Sequence, residues 1–221
     1  MICSIVEGNI EPFIKKIKEY HEKKSFRSFR DYNENSFQTT VKLLLPAKCW
    51  SSEMRLIVQH LKPNVHKYGF VDIFICDKNF GSAVLELKLL NLVGLFSRSK
   101  GKVIKNPDYK SLVEFDNILK SESEDALLNR NYYFWSKDEG KYKLTSVRKV
   151  VDDGIDQINN YIGVMVNGKS SNKKVGICDD KIGIEEGLGR LGGYLLASFG
   201  TQRIVVKNIR FKRINYNFYL K

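Results

Sequence analysis

The chain is short of most features that mark a secreted, membrane-spanning or zinc-finger protein. No apolar run approaches the ~20 residues that span a bilayer, so no membrane helix is expected. Met1 to Ile14 lacks a basic start followed by an apolar core, and no secretory signal is read there. No Asn-x-Ser/Thr acceptor occurs. The four cysteines, Cys3, Cys49, Cys76 and Cys178, lie far apart with neither CxxC pairing nor zinc spacing. They read as reduced, semi-buried thiols of an intracellular protein of the cytoplasm or nucleus. The three histidines, His21, His60 and His66, do not cluster with acids at metal spacing and read as surface or core residues. There is no repeat, no low-complexity linker and no nucleotide-binding motif. Gly187-Leu188-Gly189-Arg190-Leu191-Gly192 matches G-x-G-x-x-G, but no long apolar strand precedes it and no helix follows, so it reads as a flexible turn.

Acidic residues are also scarce. Lys and Arg number 37 against 25 Asp and Glu, a net charge of +12, and the pI is about 9.4. Such an excess favours nucleic acid or an anionic surface as partner. It is clustered in two runs: Arg98, Lys100, Lys102, Lys105 and Lys110, and then Arg203, Lys207, Arg210, Lys212, Arg213 and Lys221. A basic run alone reads equally well as solvated surface. The chain has 221 residues, 43% of them hydrophobic and 12% aromatic, which suits one globular domain over 1–221.

Periodicity gives the organisation. Ile10, Phe13, Ile14 and Ile17 recur at helical spacing, and Asp31 to Asn33 offers caps for a second helix over Glu34–Leu45, ended by Pro46. The helical N-terminal part thus covers about 1–48. Met54–Leu61 reads as a strand or a short helix. A hairpin follows, with strands over Phe70–Cys76 and Ala83–Leu89 and a turn at Asp77–Gly81. Residues about 91–145 form an irregular insertion, with two short helices over Tyr109–Arg130 and the aromatic run Tyr132-Tyr133-Phe134-Trp135 as strand or buried clasp. Thr145–Val166 reads as a long helix. Val175–Ile184 reads as a short strand pair, and Tyr194–Phe199 and Ile204–Ile209 as strands joined at Gly200-Thr201. The order implies an α/β domain, a central mixed sheet flanked by helices.

The hairpin carries the chemistry. Gly69-Phe70-Val71-Asp72-Ile73-Phe74-Ile75 holds a lone acid among apolar residues. Ala83-Val84-Leu85-Glu86-Leu87-Lys88 holds an acid and a cation two apart, hence on one strand face. Charges inside a sheet are costly unless compensated, and a divalent metal compensates two converging carboxylates. A solvent-facing hairpin with ordinary charges is the plainer reading, opposed by the apolar flanks. On the long helix Gln157 and Tyr161 are four apart and share a face, as on many surface helices. Glu34 stands in the first turn of its helix, where a dipole-stabilising role is the plainer reading.

Taken in order, Glu34, Asp72-x13-Glu86-x-Lys88 and Gln157-x-x-x-Tyr161 resemble the motifs of the PD-(D/E)XK nuclease superfamily. Val6–Phe13, Asn33–Gln38, Gly69–Asp72, Leu85–Lys88, Asp156–Tyr161 and the late glycine-rich segments resemble one branch of it throughout. That branch is often found C-terminal to an AAA-ATPase-like domain in bacterial and fungal proteins. The resemblance implies a restriction-endonuclease-like core and cleavage of nucleic acid, DNA in the first instance, with Mg²⁺ or Mn²⁺. It implies metal binding by Asp72, Glu86 and the Leu87 carbonyl, with Lys88 assisting the attacking water. Glu34 would hold a metal-bound water and Gln157 would orient the site. Tyr161 would touch nucleic acid, with Arg98, Lys100, Lys102 and Arg203 as phosphate contacts. An ATPase-like domain or protein would be a partner. Val71 stands where the superfamily has Pro, and Phe70 where the branch often has Arg. Loss of that Arg weakens a phosphate or carboxylate contact. A catalytically inactive module that binds nucleic acid or protein is the rival expectation.

Overall fold

The computed structural model describes residues 1–26, 32–62, 65–77, 79–96, 98–99, 102–103, 108–136, 139–170 and 175–221. Three helices open the chain: α1 (Ile2–Val6), α2 (Glu11–Glu22) and α3 (Glu34–Leu44). α3 starts where Asn33 accepts the Ser36 N–H on its side chain at 3.0 Å, a side-chain cap that places Glu34 in the first turn. Strands β1 (Trp50–Lys62), β2 (Val65–Asp77) and β3 (Gly81–Leu90) then form an antiparallel meander. The insertion contains α4 (Leu92–Phe96), the short pair β4 (Arg98–Ser99) and β5 (Lys102–Val103), α5 (Tyr109–Ser121), α6 (Glu124–Leu128) and the ribbon β6 (Asn131–Ser136) and β7 (Lys141–Ser146). After it come α7 (Val147–Met165), β8 (Gly176–Ile177), β9 (Ile182–Phe199) and β10 (Arg203–Leu220).

The main sheet has the order β10-β9-β3-β2-β1-β8, and β3 with β9 is its parallel pair. A parallel pair needs a long crossover, and α7 lies within it. Alternation along β3 and β9 sends Leu85, Leu87, Tyr194 and Leu196 to a core with α1–α3, and Val84, Leu195 and Ala197 to a core with α7. The helix α7 seats closely because a Cβ on Gly154 would come within 2.7 Å of the Leu195 side chain. The molecule is therefore mixed α/β with helices on both sides of a mixed sheet, as the periodicity implied.

Met54–Leu61 is strand throughout, the first of the two readings its sequence allowed. Three other expectations need correction. β9 and β10 extend far beyond Tyr194–Phe199 and Ile204–Ile209, and Ile182 opens β9 rather than closing a short pair with β8. Gly187–Gly192 is not a turn but the interior of β9, paired as Gly189↔Ile214 and Leu191↔Lys212. The glycines hide the alternation that betrays a strand. β10 supplies the pairing, and the Phe211 ring occupies the space over Gly192 that a side chain would fill.

Candidate active site

The sheet breaks at Asp72. The β1–β2 ladder runs through Ser52↔Ile73 and Met54↔Val71 and omits the Glu53–Asp72 position between them. Glu53 there takes φ 54, the left-handed region that a non-glycine residue adopts at a cost. The β2–β3 ladder ends at the same level, at Ile73↔Leu85. Released from both ladders, Asp72 uses its carboxylate: Oδ2 accepts the Leu87 N–H at 2.8 Å. In extended backbone the N–H and C=O of one residue leave by the same strand edge, so the Leu87 carbonyl faces this gap too. Gln38, one helical turn after Glu34 on α3, donates from Nε2 to the Asp72 carbonyl at 3.3 Å.

Glu86 and Lys88 lie on the α7 side of β3. Lys88 Nζ donates to Glu86 Oε1 at 2.6 Å and to Gln157 Oε1 at 3.4 Å. Gln157 Nε2 in turn donates to the Tyr161 hydroxyl at 3.1 Å. Glu86 is 1% exposed, and its Oε2 is buried with no hydrogen-bond partner. A buried carboxylate oxygen without a donor is expensive and marks a place for a cation or a donor from a ligand.

The electrostatics follow. Burial first, then the Asp72 charge, push the Glu86 carboxyl up to about 7, against the pull of Lys88. Burial raises Asp72, opposed by the Leu87 N–H and by Lys88. Burial also raises Glu34, with Lys88 lowering it and Asp72 raising it, which places Glu34 within the same field. Burial drags Lys88 down, but Glu86, Glu34 and Asp72 together outweigh it, so the ammonium is held above its ordinary value. Lys88 stays cationic while Glu86 is reluctant to ionise, because burial penalises its charge and the one cation is shared with Asp72 and Glu34.

The structure thus brings Glu34, Asp72, Glu86, Leu87, Lys88 and Gln157 into one neighbourhood, from α3, β2, β3 and α7. Tyr161 adjoins it but is only 8% exposed. Its ring fills the space over Gly69, where a Cβ would lie 2.7 Å from Cε1. Arg203 stands at the start of β10, half-buried, with a buried Nε that lacks a hydrogen-bond partner. Arg98 and Lys102 belong to the β4–β5 pair, and their side chains, with all of Lys100, lie outside the described residues. Sequence reasoning missed Glu53 and the role of Gln38. No pattern in Ser52-Glu53-Met54 signals a left-handed residue, whereas Gln38 at four residues from Glu34 was a readable signal.

Could this neighbourhood hold a metal? Among the described residues no three His, Cys, Asp or Glu side chains form a ready-made cage. What is present suits a hard cation: the Asp72 and Glu86 carboxylates, the orphaned Glu86 Oε2 and a backbone carbonyl at the gap. Lys88 occupies Glu86 Oε1, so an ion would share Glu86 with it. Comparison of the chain with family models, with curated proteins and with solved structures gave no match. No helix among the described residues is long and apolar enough to cross a membrane.

Proposed function

We propose that the chain is a metal-dependent nuclease with a restriction-endonuclease-like core, hydrolysing phosphodiester bonds of DNA. The observation that carries this reading is the meeting of Asp72, Glu86, Lys88 and Gln157 at a break in the sheet, with a buried Glu86 oxygen left without a donor. Asp72, Glu86 and the Leu87 carbonyl would hold Mg²⁺ or Mn²⁺. Bound there, the ion supplies positive charge to a phosphate oxygen and makes a coordinated water more acidic. Lys88, kept cationic by the acids around it, orients the attacking water and offsets charge growing on the phosphate. Gln157 fixes Lys88 through Oε1 and is itself fixed by Tyr161. Glu34 accepts from a water at the rim. The same resemblance that suggested these roles makes an ATPase-like domain or protein a proposed partner.

One observation favours a second reading. Lys88 closes on Glu86 Oε1 in an ion pair, as it would in a nuclease fold that binds nucleic acid without cutting it. The readings separate in one assay. Circular plasmid and linear single strands are incubated with Mg²⁺, Mn²⁺ or EDTA, using the wild type, Asp72→Ala and Lys88→Ala. Metal-dependent product, lost in both variants, is expected. Cleavage that survives in Asp72→Ala sinks the assignment. DNA binding with no product in any metal leaves the inactive module.

A further inference from the structure

β9 and β10 set two arginines directly against each other. Arg190 and Arg213 are cross-strand partners, and both are exposed. Like charges directly opposite on a sheet repel and destabilise the pair. Arg210 is exposed as well, and so is Lys212, which pairs with Leu191 and therefore points to the opposite face of the ribbon. The ladder is irregular between Ile209 and Lys212, so Arg210 and Phe211 stand out of register. The Arg190 guanidinium lies over the Phe211 ring at 5.5 Å, and Phe211 rests edge-on against Tyr194 at 5.8 Å. That stacking holds one guanidinium in position beside the other. Arg203 to Lys221 contains no acid. The nearest acids along the ribbon, Glu185 and Glu186, pair with Asn217 and Tyr216, beyond Gly189↔Ile214. Among the described residues none of these four cations makes an ion pair.

We infer that this patch is a docking surface for the phosphate backbone of nucleic acid, separate from the catalytic gap. Its two opposed cations are arginines, whose planar fork matches a phosphate with paired hydrogen bonds. An anion between Arg190 and Arg213 turns their repulsion into two attractions. β10 is an edge strand of the sheet, so a long polyanion can approach it without displacing protein. Arg190 lies five residues from Leu195, which pairs with Glu86, so the patch is roughly 16 Å from the gap along β9. It also faces the α1–α3 side, with Phe211, whereas Glu86 and Lys88 face α7. A strand bound here would be held by backbone charge alone while another stretch of it reached the acids. The choice of nucleic acid as occupant rests on the proposed function.

The test measures binding of labelled duplex and single-stranded oligonucleotides in EDTA across a salt series. Wild type is compared with Arg190→Gln/Arg213→Gln, and both are checked for equal thermal melting. The wild type is expected to bind with a steep salt dependence. The double variant should bind more weakly, with the log–log slope reduced by about 2, one for each phosphate that the variant no longer neutralises. An unchanged slope overturns the proposal. So does patch-dependent binding seen only with phosphatidylserine vesicles or with polyglutamate. EDTA separates this result from catalysis. A wild type that never cleaves defeats the nuclease reading and leaves the docking surface standing, whereas a cleaving enzyme whose binding ignores both substitutions does the reverse.

Discussion

At Glu86 the folded carboxyl keeps its proton up to about pH 7, because it is buried beside Asp72. The unfolded chain gives that proton up near 4.5. Stability is therefore full below the lower value and is lost as pH rises through the upper one. The loss is about 3 kcal/mol at most, with the pull of Lys88 already within it. Glu86→Gln should accordingly melt higher than the wild type at pH 8 in EDTA, with the difference shrinking toward pH 5. It should also abolish cleavage. A lower melting temperature at pH 8 would mean that Lys88 more than repays the burial of Glu86. A higher one is the pattern expected of a residue kept for the proposed chemistry at the expense of stability.

Among the elements, α7 seats on β9, β3 and β1, and it reaches β2 through Tyr161, which holds Gln157. The chain can bring β2 and α7 together because Gly69 has no side chain under the Tyr161 ring. A Cβ there would meet Tyr161 Cε1 at 2.7 Å and Val58 Cγ1 at 2.8 Å. Gly69→Ala should destabilise the fold by about 1–3 kcal/mol through overpacking. It should also lower cleavage more than DNA binding, since a displaced Tyr161 releases Gln157 and then Lys88. Denaturant unfolding beside turnover checks both parts. Normal turnover in a destabilised variant would show that Gln157 does not need Tyr161. At the other face, the Asn33 cap and the first-turn Glu34 were legible in sequence, because capping is a local property. The approach of Gly69 to Tyr161 was not, because it joins residues distant in the chain.

Across the whole molecule, the turn between β9 and β10 is gripped from both layers. On one side His21 of α2 donates from Nδ1 to the Thr201 carbonyl at 2.9 Å, with Nε2 at 3.1 Å from the Tyr32 hydroxyl. On the other, Asp116 of α5 accepts from the Thr201 N–H at 2.9 Å and from its hydroxyl at 2.5 Å. Burial, outweighing the Thr201 bond, drives His21 from 6.5 down to about 4. Between those values the unfolded chain binds the proton and the folded chain does not. Stability is complete above 6.5 and is lost as pH falls through about 4. The loss is about 3 kcal/mol. Glu86 changes in the opposite sense over the same window, so unfolding free energy is measured by denaturant at pH 7 and pH 4.5 in the Glu86→Gln background, where it should show most of that fall, and adding His21→Gln should flatten it. An equal fall in the variant would place the acid sensitivity in the carboxylates instead.

Local regularities carried much of this protein into view from its sequence. Apolar spacing set α2, α3 and α7, and the α5–α6 pair was placed within the insertion, because a helix face repeats within a few residues. The same is true of the β2–β3 hairpin, whose apolar runs and turn residues are contiguous. The placement of Glu86 and Lys88 on one strand face followed from alternation alone. Tertiary structure decided the rest. The length of β9 and β10 came from pairing, since glycines leave no pattern to read. The opposition of Arg190 to Arg213 depends on a register that no local signal fixes. The break at Glu53 and Asp72, which turns a carboxylate onto the Leu87 N–H, arises because two ladders stop at one level. Local pattern established which residues carry charge and which helices and hairpin hold them. Only the packed sheet decided which of those charges meet, because meeting requires chain segments far apart in sequence to give up water together.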